Sequence, residues 1–156
     1  MVKIMFKKDL SDVDFGTIAY MQLKDIENRK ISIKERIKML ESSLHFNCNE
    51  AFGLLGKELR DNYKKLSYYD KMWILEALEK SEKVGCIEPL LDLPEMFESV
   101  TPKSRYSYQE MSKVIDIIGR SRKKWLIPVL TKYSESSSRL IRESARNAIS
   151  KITNSN

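Results

Sequence analysis

Apolar side chains recur every three or four residues over most of this chain, and a serine opens each stripe. After Ser32 come Ile33, Ile37, Leu40 and Leu44, and after Ser67 come Tyr68, Met72, Leu75 and Leu78. After Ser107 come Met111, Val114, Ile115 and Ile118, and after Ser138 come Ile141, Ala145, Ala148, Ile149 and Ile152. This spacing lines apolar residues along one side of a helix. The stripe after Ser67 also holds Trp73, Ile74 and Ala77. It is apolar nearly all round, which predicts the most enclosed helix of the molecule. Four serines stand three residues before a carboxylate: Ser11 before Asp14, Ser32 before Glu35, Ser67 before Asp70 and Ser107 before Glu110. In a capping box the serine oxygen accepts from the amide of the third helical residue, and a Glu there reaches back to the serine amide. Asp is a shorter closer that still favours the positive helix end.

Partner helices are predicted between these, over residues 14–27, 50–60, 86–97 and 125–132, with a polar turn at 133–137 before an N-cap at Ser138. One stretch is written twice: Gly85-Cys86-Ile87-Glu88-Pro89-Leu90-Leu91 returns as Lys124-Trp125-Leu126-Ile127-Pro128-Val129-Leu130, with the prolines 39 residues apart. Each proline falls in a first helical turn, where a missing N–H costs nothing and the fixed φ suits the helix. Self-similarity at such a period marks stacked repeats. The expected fold is all-α, with eight helices in four antiparallel pairs within a single domain of residues 1–156. Residues 1–10 and 153–156 are expected to be loosely ordered ends. Five Gly and four Pro leave little room for the many turns of an all-β domain.

The last pair carries a family likeness. Trp125-Leu126-Ile127-Pro128-Val129-Leu130, a polar turn, and Leu140-Ile141-Arg142-Glu143-Ser144-Ala145 followed by Ala148-Ile149 together resemble a HEAT repeat of the armadillo-like class. That pattern has a short Pro-containing first helix and a second helix reading apolar-Arg-acidic-small-Ala. The likeness is clearest at residues 124–153. Residues 86–119 resemble a second copy ending in Ile117-Ile118-Gly119, residues 51–78 resemble it less, and residues 11–46 are placed by symmetry. Glu135 or a serine stands where the family has a loop Asp. The resemblance implies a right-handed α-solenoid whose second helices line a concave face that binds other macromolecules. It also implies that Arg142 braces neighbouring repeats.

Charge adds one asymmetry. Residues 101–156 carry 12 Lys/Arg against 4 Asp/Glu, whereas residues 1–100 carry 16 against 18. A basic C-terminal third can attract nucleic acid or an acidic protein surface. Arg120, Arg122, Lys123 and Lys124 fall on the link between the third and fourth pairs, and Lys80 and Lys83 on the matching link one repeat earlier. Arg139, Arg142 and Arg146 share one face of the last helix by their spacing. Together these nine form a candidate basic ridge for phosphate contacts.

Other chemistry is sparse. His45 and Cys48 lie three apart without an orienting third group, so a nucleophilic pair is not expected. Two Cys and one His do not supply a zinc set. Cys48 and Cys86 read as small buried hydrophobes, and Trp73 and Trp125 as core. Gly53-Leu54-Leu55-Gly56 lacks the Lys-Ser/Thr of a phosphate loop and reads instead as a close helix approach. The start of the chain has too short an apolar run for a secretion signal, and nothing suggests a membrane span, so a cytoplasmic protein is expected. The leading expectation is a non-enzymatic, protein-binding scaffold without cofactor or metal. Nucleic-acid binding through the basic ridge is the alternative. Some DNA base-excision glycosylases also resemble HEAT stacks, but they are longer, and their Asp and aromatic pocket have no counterpart identifiable in this sequence.

Overall fold

A computed structural model describes residues 31–45, 49–81, 83–99 and 103–155, and every regular element among them is helical. The Ser11 cap and the helix expected over 14–27 lie outside the described residues. Helix α1 (Ile33–His45) opens with a complete capping box: the Glu35 amide donates to Ser32 Oγ at 3.3 Å and the Ser32 amide to Glu35 Oε2 at 2.9 Å. Helix α2 spans Asn49–Asp61. Helix α3 (Tyr68–Lys80) is capped by Ser67, whose Oγ accepts from the Asp70 amide at 3.2 Å.

The element expected over 86–97 is two helices, α4 (Glu88–Leu91) and α5 (Leu93–Ser99). Pro89 sits at the start of α4 as predicted, but Pro94 breaks the run. It has no N–H to give the Leu90 carbonyl and its ring would clash there, so the chain restarts at Leu93 with Pro94 in a first turn, where it is tolerated. Helix α6 (Arg105–Arg120) starts earlier than Ser107. Ser104 is the N-cap and accepts from the Ser107 amide at 3.2 Å. Glu110, expected to close a box with Ser107, is instead only 5% exposed and turned into the core. A 3-10 turn (Lys124–Leu126) leads into α7 (Ile127–Ser134), and α8 (Arg139–Thr153) ends the described fold. Ser138 holds the N-cap position of α8 without a side-chain cap bond.

The most enclosed helix is α6, not α3. It buries eight residues, from Glu110 to Gly119, and packs against α3, α4, α5 and α8. Helix α3 buries Ile74, Leu75 and Leu78 but leaves Tyr69 81% exposed. An apolar circumference identifies a helix that could be covered on every side; it does not supply the neighbours. Contacts at both ends show that α3 and α6 run parallel. Tyr68 meets Tyr106 near their N-termini, and Arg120 bonds Leu78 and Glu79 near their C-termini. Helices α6 and α8 are also parallel, with Ser112 bonded to Ser144 at 2.6 Å and Gly119 against Ala148. A Cβ on Gly119 would stand 2.5 Å from Ala148 Cβ, so these two backbones touch.

The Gly53–Gly56 segment performs the close approach read from its sequence. A Cβ on Gly53 would come within 2.9 Å of Cys86 Cβ, and one on Gly56 within 3.4 Å of Leu90 Cδ2. Trp73 is half-buried and packs against the core as expected. Two other expectations are corrected. Trp125, expected in the core, is 53% exposed because the 3-10 turn carries it outward ahead of α7. Cys86 is an exposed free thiol rather than a buried hydrophobe, and its Sγ donates to Glu88 Oε2 at 2.9 Å. That bond to a carboxylate, with some desolvation, raises the thiol pKa. In a Cys48→Ser background, iodoacetamide at pH 8 is therefore expected to modify Cys86 more slowly than an ordinary exposed thiol. Glu88→Gln should accelerate the reaction, and equal rates in the two proteins would remove the carboxylate as the cause.

Candidate functional site: the basic edge and its cleft

Because α3, α6 and α8 run side by side in the same sense, their C-terminal ends share one edge. Helix C-termini carry partial negative charge and unpaired carbonyls, and cations there are favoured. Arg120 uses this directly. Its Nη1 donates to the carbonyls of Leu78 at 3.0 Å and Glu79, and its Nη2 to the Ser81 carbonyl. An α6 side chain thus caps the end of α3. Arg120→Met, which keeps the aliphatic stem, is expected to lower stability by about 1–2 kcal/mol through these orphaned carbonyls. Urea denaturation reads this, and an unchanged midpoint would deny Arg120 a capping role.

The other predicted cations divide into partnered and open ones. Arg142 donates to the carbonyls of Ser136 at 2.7 Å and Ser137 at 3.1 Å, so it braces the turn of its own helix pair. The family likeness implied a brace between repeats; the described contacts are local. Arg139 pairs with Glu143 at 2.7 Å one turn on, and Lys123 lies 3.9 Å from Glu88. Lys80, Lys83, Arg122, Lys124 and Arg146 make no ion pair among the described residues. The nine residues therefore do not make an unbroken row of free charge.

A cleft of about 580 Å³ opens at this edge, lined by Val84, Arg120, Arg122 and Lys151. Lys151, in the last turn of α8, is a lining residue the sequence reading did not select. Only the stacking of α6 on α8 brings it beside the link after α6. Arg122 is the one non-glycine residue with positive φ among the described residues, at 54°. It follows the C-cap Ser121, and its amide donates to the Gly119 carbonyl at 3.2 Å, the bond of a left-handed helix cap. Glycine is the usual occupant of that position, since a side chain there is strained. Asp116, which interacts with Lys151, has its pKa raised by burial, and the lysine's charge opposes that rise.

Two clusters away from this edge escaped the sequence. Tyr63 Oη donates to Glu110 Oε2 at 2.7 Å, and Lys71 Nζ lies 3.6 Å from the same oxygen and 4.0 Å from the Tyr63 ring centre. At the opposite end of α3 and α6, Tyr68 packs on Tyr69 at 5.5 Å and on Tyr106 at 4.5 Å, with Tyr69 and Tyr106 exposed. A usable signal existed here, because both exposed tyrosines sit two residues after an N-cap serine. His45 ends α1 on the surface, and Cys48 lies outside the described residues. Among the described residues no cluster of His, Cys, Asp and Glu is arranged to hold a metal ion, and no helix is long and apolar enough to cross a membrane. Set against known proteins, the chain matches no protein-family model, no curated protein sequence and no solved structure.

Proposed function

We propose that this chain is a HEAT-like, right-handed α-solenoid that serves as a protein-binding module without chemistry of its own. The observation that carries the reading is the order of packing. The second helices of the inferred pairs meet in chain order, α1 on α3, α3 on α6 and α6 on α8, while α2 packs on α4 among the first helices. Hairpins stacked in sequence generate an extended surface of the kind repeat proteins use to hold partners. Tyr69 and Tyr106 stand on that row of second helices, and exposed Tyr is enriched at interface hot spots. Glu110 lends the base-excision reading no support, because it is bonded to Tyr63 and Lys71 and does not line the cleft.

The test places a photo-crosslinking phenylalanine analogue at Tyr69 or Tyr106 of the full chain, expressed in its source cells. A nuclease-resistant protein adduct is expected, competed away by unlabelled chain and weakened about tenfold by a paired Tyr69→Ala, Tyr106→Ala variant. Adducts that vanish on nuclease treatment would transfer the function to nucleic acid. No adduct at either position would overturn the reading.

A further inference from the structure

We infer that the cleft between the C-terminal ends of α6 and α8 is a binding site for a small phosphate-bearing ligand of nucleotide size. Among the described residues that line it, Arg120, Arg122 and Lys151 are cationic and none is acidic. The volume of about 580 Å³ falls within the roughly 300–1,000 Å³ of small-molecule pockets. Arg120 is held in advance. Its three bonds to the carbonyls of Leu78, Glu79 and the C-cap Ser81 occupy both Nη1 protons and one Nη2 proton, and among the described residues nothing occupies Nε–H or the second Nη2–H. A guanidinium fixed on one edge with its other donors open is a ready fork for a phosphate oxygen.

Arg122 supplies an independent argument. Its left-handed backbone costs on the order of 1 kcal/mol, which glycine would avoid. The cap bond to the Gly119 carbonyl needs only the backbone amide, and the side chain makes no ion pair among the described residues that would offset the strain. A charge kept on a strained cap and lining a cavity fits a ligand that the cap presents it to. Lys151 completes the set from a third helix. Its charge is only partly balanced by the half-buried Asp116.

A small polyanion suits the site better than a nucleic-acid strand. Strand binding draws on several unpaired cations tracking a backbone. Beyond the cleft, Lys123, Arg139 and Arg142 are already engaged with Glu88, Glu143 and the Ser136 and Ser137 carbonyls, and the unpaired Lys80, Lys83, Lys124 and Arg146 are not among its described lining residues. The unpaired charge that shares one cavity is that of Arg122 and Lys151, next to the pre-positioned Arg120.

Calorimetry on the full chain with pyrophosphate and with ATP, using adenosine as the uncharged control, tests this. Binding at one site per chain is expected for both phosphates and not for adenosine. Arg122→Glu and Lys151→Glu should each weaken it about tenfold or more, with the ligand-free melting temperature of Arg122→Glu little changed. Arg122→Gly separates the two roles: it should raise the ligand-free melting temperature by relieving the strain, yet lose affinity like Arg122→Glu. No heat from pyrophosphate or ATP at low salt would overturn the inference. So would affinity indifferent to the paired Arg122→Glu, Lys151→Glu variant. Tighter binding of an oligonucleotide than of ATP, with a salt dependence worth several phosphates, would make the edge a nucleic-acid surface and would equally overturn it. Success or failure here leaves the tyrosine cross-linking result untouched, since the two sites lie at opposite ends of α3 and α6.

Discussion

Leucine in place of Gly119 is expected to be among the most damaging single changes, lowering stability by about 3 kcal/mol or more, since overpacking a tight core forces backbone apart. The cause is the crossing of α6 and α8. Even a methyl group at this position would lie 2.5 Å from Ala148 Cβ and 2.8 Å from Ala148 Cα. Neither atom is the free end of a flexible side chain, so relief requires moving α8. That interface also holds the Ser112–Ser144 bond. Gly119→Ala is the graded version. In a helix interior alanine is favoured over glycine by about 1 kcal/mol, and the clash should outweigh that gain and leave the variant less stable. Adding Ala148→Gly removes the 2.5 Å contact but not the one to Cα, so it should restore part of the loss in a double-mutant cycle. Urea midpoints on the four proteins measure this, and Gly119→Ala at or above the parent stability would show that the helices are not in contact there.

The same crossing shows what the sequence could and could not disclose. The stripes after Ser32, Ser67 and Ser138 gave helices close to those observed, because local capping and 3.6-residue periodicity are properties of short segments. Gly119 itself could be read only as the end of a repeat; that it lies under Ala148 is a fact about two helices. Ser104 and Ser107 both resemble caps, and the choice was made by Glu110, whose partners Tyr63 and Lys71 come from elsewhere in the chain. Pro94 was legible in principle, since its missing N–H and its ring act locally. The basic residues were visible as composition, but their use was not. Arg120 spends three donors on carbonyls about forty residues away, and Arg142 turns back to its own loop. The cleft needs Val84 and Lys151, which no spacing rule joins to Arg122. Residues that act through neighbours in sequence were readable, and those that act through neighbours in space were not.

Glu110→Ala, by contrast, is expected to be destabilising by leaving charge stranded. Glu110 receives the Tyr63 hydroxyl at 2.7 Å and lies 3.6 Å from the Lys71 ammonium, and its side chain is 6% exposed against 15% for Lys71. Removing one partner of a buried pair costs about 3–5 kcal/mol. Lys71 can extend part of its stem toward water, which places the loss near 3 kcal/mol. Replacing all three groups by apolar ones, Glu110→Leu with Lys71→Met and Tyr63→Phe, should recover most of the stability, because no unpaired polar group remains. The cluster also sets an alkaline limit. Burial and the hydrogen bond to Glu110 raise the Tyr63 pKa well above its ordinary 10.0. Below pH 10 both folded and unfolded chains hold the phenol proton, and its contribution to stability is complete. As pH rises past 10 the unfolded chain releases the proton while the folded chain retains it, so unfolding becomes easier. Wild-type stability should therefore fall more steeply between pH 10 and 11 than that of Tyr63→Phe, though the variant is the less stable protein at pH 7. Tyr133, pushed up to about 12 by burial beside Glu98 and Glu95, contributes a fall common to both proteins. Parallel alkaline profiles for wild type and Tyr63→Phe would mean that the phenol is not held in its neutral form by the carboxylate, and the three-residue cluster would lose its place as a fixed point of the core.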